Sequence, residues 1–194
     1  MWDRAGTTPL HAAVAHGNPR TVKTLLQAGA KPTARDAAGL RPLHAAVLAE
    51  NRRVVKLLLT HPVVDVDAVD HLGSTALHLA ASFWTAHMCA RLLDAGADPN
   101  SADCNGTTPL HWACYTGFGD TVRMLLARGA RADAKDHQGR LPWHWAGDGA
   151  NAETWAIMEK IGVGDGEAVV DNDGNRPVMA KRGPHGLGCG CVCR

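Results

Sequence analysis

The chain has 194 residues, with 20 basic and 19 acidic side chains and a formal net charge of +1. That balance excludes a surface that is cationic as a whole, the kind that follows nucleic acid or an anionic bilayer, although a local basic patch is compatible with it. No run of about 20 apolar residues is present to span a membrane, and Met1-Trp2-Asp3-Arg4 opens onto no apolar core of a secretory leader. Cys89, Cys104 and Cys114 are scattered along the chain, whereas Cys189, Cys191 and Cys193 crowd its end. The scattered thiols are expected to pack as small apolar residues in a reducing compartment, which points to the cytosol or nucleus.

A recurring hexapeptide organises what lies between. Thr8-Pro9-Leu10-His11-Ala12-Ala13 is followed by Arg41-Pro42-Leu43-His44-Ala45-Ala46, then by Thr75-Ala76-Leu77-His78-Leu79-Ala80. Thr108-Pro109-Leu110-His111-Trp112-Ala113 and Leu141-Pro142-Trp143-His144-Trp145-Ala146 complete the set. The histidines fall 33, 34, 33 and 33 residues apart. A fixed period of that size marks a stacked array, in which each unit buries its apolar face on its neighbours.

Each unit opens on an acidic residue with a glycine three positions later: Asp3/Gly6, Asp36/Gly39, Asp70/Gly73, Asp103/Gly106, Asp136/Gly139 and Asp171/Gly174. A tight turn is predicted at each, with Asp bonding to nearby backbone and Gly supplying positive φ. Thr8 and Thr108 then cap a short inner helix that has Pro at its first position. This helix is expected to end near Gly17, Glu50, Trp84, Gly117 and Ala150. An outer helix follows, lined by Val22, Leu25 and Leu26 in the first unit and by Val54, Val55, Leu57, Leu58 and Leu59 in the second. Met88, Leu92 and Leu93 serve the third, and Val122, Met124, Leu125 and Leu126 the fourth, in the i, i+3, i+4 stripe of a helix with one buried face. The fifth is expected to use Trp155, Ile157, Met158 and Ile161. The second unit is one residue longer at Thr60-His61-Pro62-Val63-Val64, so its outer helix should stop near His61. Asp171-Asn172-Asp173-Gly174 reads as one more turn. A calcium loop would need oxygen ligands where Val169 and Ala180 stand.

The repeated histidines carry a structural role in this reading. Stacked units sit about 10 Å apart, whereas a Zn–N bond is about 2.0 Å, so one imidazole per unit cannot converge on a metal. His11, His44, His78, His111 and His144 are expected to clasp the helix start, bonding to the Thr hydroxyl (Thr8, Thr108) or to nearby backbone N–H. No phosphate cradle, metalloprotease motif or carboxylate pair outside the turns is present, and no cofactor is expected.

The hexapeptide, the period and the Asp–Gly turns resemble the ankyrin-repeat family. The resemblance covers repeats at about 3–35, 36–69, 70–102, 103–135 and 136–170, with a partial sixth at 171–182, where Met179 replaces the histidine. It implies an all-α solenoid, a curved and elongated stack of helix-turn-helix units with β-hairpin or turn fingers, spanning residues 1–182. Residues 183–194 form a Gly- and Cys-rich tail expected to be disordered. Cys189, Cys191 and Cys193 could accept lipid, against the simpler reading of an unstructured end, and they form a poor metal set with only His185 nearby. The start two residues before a repeat suggests a piece of a longer array.

The family's recognition surface, carried onto this sequence, implies a concave face of finger tips and inner helices that binds a partner protein. It falls on Leu40, Leu48, His71, Leu72, Phe83, Asn105, Thr107, Tyr115, Thr116, His137 and Arg140. Phe83 has two readings, partner contact or packing between the third and fourth units. Trp84, Trp112, Trp143 and Trp145 are read as packing between repeats. The function expected is a non-catalytic scaffold or adaptor for a protein partner, with no nucleic acid or small-molecule substrate, and with a membrane only if the tail is lipidated. The alternative is the ankyrin portion of a larger enzyme, resembling that of palmitoyltransferases or serving as a ubiquitin-ligase adaptor; no catalytic Asp-His-His-Cys occurs in this chain.

Overall fold

The computed structural model describes residues 6–83, 86–149, 151–161 and 170–176. These hold ten helices in five pairs. The inner members are α1 (Pro9–Ala15), α3 (Pro42–Leu48), α5 (Ala76–Phe83), α7 (Pro109–Thr116) and α9 (Pro142–Asp148). The outer members are α2 (Pro19–Gln27), α4 (Arg52–Leu59), α6 (Ala86–Asp94), α8 (Gly119–Ala127) and α10 (Ala152–Lys160). Each inner helix packs on its own outer partner and on the inner helices of the neighbouring units. In the outer row α2 packs on α4, α6 on α8 and α8 on α10, while α4 and α6 approach less closely, at the unit carrying the extra residue.

The core runs along the stack as one ribbon. Small inner-helix residues (Ala13, Ala46, Ala80, Ala113, Ala146) let the helices approach, and Leu10, Leu43, Leu77 and Leu110 fill the space between them. From the outer row come Val22, Val54, Val55, Leu58, Met88, Leu92, Val122, Leu125 and Met158. Each fully buried Leu contributes about 1.5–3 kcal/mol, but its contacts are shared between units, so stacking is what stabilises any one of them. Ile161, expected to line α10, lies past the helix end and is 44% exposed. Thr154 is buried in that helix instead, its hydroxyl donating to the Cys114 carbonyl of the preceding unit at 3.2 Å.

The inner helices end as the glycines require. Gly17 and Gly117 take φ of 70° and 85°. The second unit has no glycine there, and Glu50 adopts φ 52°, the sole non-glycine among the described residues with positive φ. The corresponding Trp84 and Ala150 lie outside the described residues. Asn51 opens the next helix and ties two units together: its Oδ1 accepts from Val54 N–H at 3.0 Å and its Nδ2 donates to the Gly17 carbonyl at 2.9 Å. Asn151 repeats the tie to the Tyr115 carbonyl at 2.7 Å.

The fingers are turns and not hairpins of paired strands. Among the described residues the single β-bridge joins Val69 to Thr75. In each finger only three residues lie between Asp and the residue whose carbonyl closes the turn.

Candidate protein-recognition surface

Each finger is built around one carboxylate. Asp103 Oδ1 accepts from Asn105 N–H at 2.8 Å and from Thr107 N–H at 2.9 Å, while its own N–H donates to the Thr107 carbonyl. Asp36, Asp70, Asp136 and Asp171 do the same at 2.8–2.9 Å. The expected glycine follows with φ between 74° and 81° in these five turns; Asp3 of the first turn lies outside the described residues. Successive fingers are stitched by backbone bonds: His71 N–H to the Ala38 carbonyl, Cys104 to Leu72, His137 to Asn105 and Asn172 to Gln138. A Cβ on Gly73 would stand 2.8 Å from the Cys104 nitrogen, so the absence of a side chain sets the finger spacing.

The histidines connect the fingers to the helices. In three units Nδ1 faces both the backbone N–H and the hydroxyl of the capping Thr, at 2.9 Å from the oxygen of Thr8, Thr75 and Thr108. Arg41 and Leu141 lack that hydroxyl, and there only the backbone N–H donates, at 3.2 and 3.0 Å. The other ring nitrogen reaches into the next unit. Nε2 of His11, His44, His78, His111 and His144 lies 2.9–3.3 Å from the carbonyl of Leu40, Ser74, Thr107, Arg140 and Asn175 respectively. With Nδ1 accepting, Nε2 carries the proton and donates. Burial holds His44, His78 and His144 below the ordinary imidazole range and pushes His111 down to about 4, since a buried cation loses its hydration.

Placed on this frame, the predicted contact residues divide. Leu48, Leu72 and Phe83 are exposed, Phe83 by 58%, which decides against its packing between units. His71, Asn105 and His137 are exposed on three successive fingers, and Leu40 is half-buried at the base of another. Thr107 is a correction: it is 1% exposed, held by Asp103 and accepting from His78, and it belongs to the frame. Thr116 is half-buried with its hydroxyl turned back to the Trp112 carbonyl at 2.9 Å. Cys89 and Cys114 are buried as expected, and burial raises both thiols, Cys89 to about 12; Cys104, expected to pack, is exposed on a finger. Cys189, Cys191 and Cys193 lie outside the described residues.

Tyr115 and Arg140 join an aromatic cluster between the fourth and fifth units. Trp145 meets Trp112, Tyr115 and His111 edge-on, with ring centroids 5.3, 5.9 and 5.7 Å away. The Arg140 guanidinium lies 4.8 Å over the Trp145 ring and pairs with Asp136 at 2.9 Å, and the indole N–H donates to the same carboxylate at 3.0 Å. Tyr115 is therefore half-buried in packing. Trp143 packs on Trp155 of the same unit with ring centroids 5.3 Å apart and the planes tilted by 54°. Phe118, 38% exposed just before α8, was not among the predicted contacts, because it sits outside the finger and inner-helix positions.

A stack of helix pairs on a repeated frame defines a helical repeat solenoid. The family profile for ankyrin repeats in sets of three copies matches residues 10–103, 43–136 and 84–159. The chain belongs to the ankyrin-repeat family. Ankyrin repeats are generally protein–protein interaction modules, and domains made of them are typically non-catalytic. No curated protein sequence matches the chain.

Proposed function

We propose that this protein is a non-catalytic scaffold or adaptor that captures a partner protein on the concave side of the stack, between finger tips and inner-helix ends. The observation that carries the reading is the set of exposed apolar side chains Leu48, Leu72 and Phe83, accompanied by exposed polar His71, Asn105 and His137 on successive fingers. An exposed aromatic with a polar rim is the composition of an interaction hot spot. Leu48 and Phe83 end consecutive inner helices, so they stand one stacking step of about 10 Å apart, within reach of one partner helix or loop. The buried thiols of Cys89 and Cys114 fit a cytosolic or nuclear setting.

The test is affinity capture with mass spectrometry, comparing the wild-type chain with a Leu72→Asp/Phe83→Asp variant. Both side chains are exposed, so helical circular dichroism should be unchanged. Proteins enriched by the wild type and lost with the variant support the surface. The same proteins retained by the variant would remove it.

A further inference from the structure

A second surface lies on the opposite side, in the outer row. Between α2 and α4 runs an open groove of about 370 Å³ lined by Pro19, Arg20, Lys23, Arg53, Lys56, Leu57 and Thr60. The four cations are exposed, and Leu57 and Pro19 are half-buried in the floor. Their placement follows the repeat. Arg20 and Arg53 both stand nine residues after the repeat histidine, and Lys23 and Lys56 both stand twelve after it. Parallel neighbouring helices therefore present two cations each, in register, across one groove. Further along the row the ninth position changes to His87, then Asp120, then Glu153. There Arg123 is paired with both acids, at 2.9 and 2.7 Å. Among the described residues none of the four groove cations makes an ion pair, and α2 and α4 contain no acidic residue. In a chain of net charge +1 this is a concentrated, uncompensated field.

We propose that the groove between α2 and α4 docks an acidic polypeptide segment, with an apolar side chain seated on Leu57 and flanking carboxylates paired to Arg20, Lys23, Arg53 and Lys56. The carbon stems of the four cations extend the apolar floor while their charged heads rim it. The groove has no aromatic side chain on which a nucleic-acid base could stack. Its apolar floor is limited to half-buried Pro19 and Leu57, enough to seat one side chain of a peptide but with no exposed apolar group to insert into a bilayer.

The experiment is fluorescence anisotropy of the full chain with a labelled peptide of glutamates around one leucine. Saturable binding that weakens at high salt is expected, because the rim is solvent-exposed. Arg53→Glu and Lys23→Glu should each weaken it by about tenfold or more. Arg35→Glu, an exposed cation outside the groove, should leave it nearly unchanged, as should Phe83→Asp on the other surface. The same peptide with glycine in place of leucine should bind more weakly. If a charge-reversed variant loses helical circular dichroism, Lys23→Gln/Arg53→Gln makes the same comparison. Absence of peptide binding overturns the proposal, as does an equal loss with Arg35→Glu. It is overturned too if duplex DNA or phosphatidylserine vesicles bind more tightly through the same residues, or if Arg53→Glu abolishes self-association of the chain.

Discussion

Acid should unfold this protein through its repeat histidines, and His111 allows the magnitude to be worked out. Its Nδ1 accepts from Thr108 and its Nε2 donates to the Arg140 carbonyl, so the neutral ring serves both bonds. Adding a proton turns Nδ1 from acceptor into donor and buries a cation. The folded state therefore resists protonation until about pH 4, whereas the unfolded ring takes a proton near its ordinary value of 6.5. Between those values the unfolded state binds more protons, so stability rises with pH there. It is fully present above 6.5 and is lost as pH falls toward 4. The interval corresponds to about 3 kcal/mol for this residue. His44, His78 and His144 are displaced in the same direction, so they act with it. Urea unfolding followed by circular dichroism, from about pH 7.5 down to about pH 4.5, measures the slope. His111→Gln, which cannot titrate, should be less stable at neutral pH yet lose stability less steeply on acidification, by about 1.4 kcal/mol per pH unit. A wild type whose stability is flat across that range, or a variant with the same slope, would refute the account.

Two backbone predictions test the frame. Glu50→Gly should raise stability by roughly 0.5–1 kcal/mol, because Glu50 at φ 52° bears a left-handed penalty that outweighs the extra freedom glycine adds to the unfolded chain. Thermal unfolding checks it, and a lower midpoint would contradict the strain. Gly73→Ala and Gly96→Ala place a methyl group at similar φ, 75° and 92°. Only the first drives a Cβ against the backbone of the next finger, 2.8 Å from Cys104 N, while nothing lies within 4 Å of the second. Gly96→Ala should cost about 1 kcal/mol and Gly73→Ala at least about 1 kcal/mol more; equal losses would show that finger contact does not set the spacing.

What could be read from the chain was what acts over a few residues. The Asp36 to Gly39 turn, the Thr8 cap with Pro9 behind it and the Val22 to Leu26 stripe depend on neighbours within about one helical turn. The constant 33–34 residue step then dictates a stack, since no unit closes a core alone. The histidine clasp was half legible for the same reason. Its Nδ1 contact is local, but the Nε2 bond reaches a carbonyl 29 to 31 residues away.

Tertiary structure decided which repeat positions are surface and which are frame. Thr107 and Asn105 flank the same glycine, yet one is 1% exposed and the other exposed, because the His78 ring of the preceding unit donates to the Thr107 carbonyl and covers it. Tyr115 and Phe83 sit near the ends of equivalent helices, and only the first is covered, by Trp145 arriving from the next unit. Arg20 and Arg53 are distant in sequence and become rims of one groove when α2 lies beside α4. In each case the outcome depends on a side chain about 30 residues away, so local pattern determined the repeat and stacking alone determined its surface.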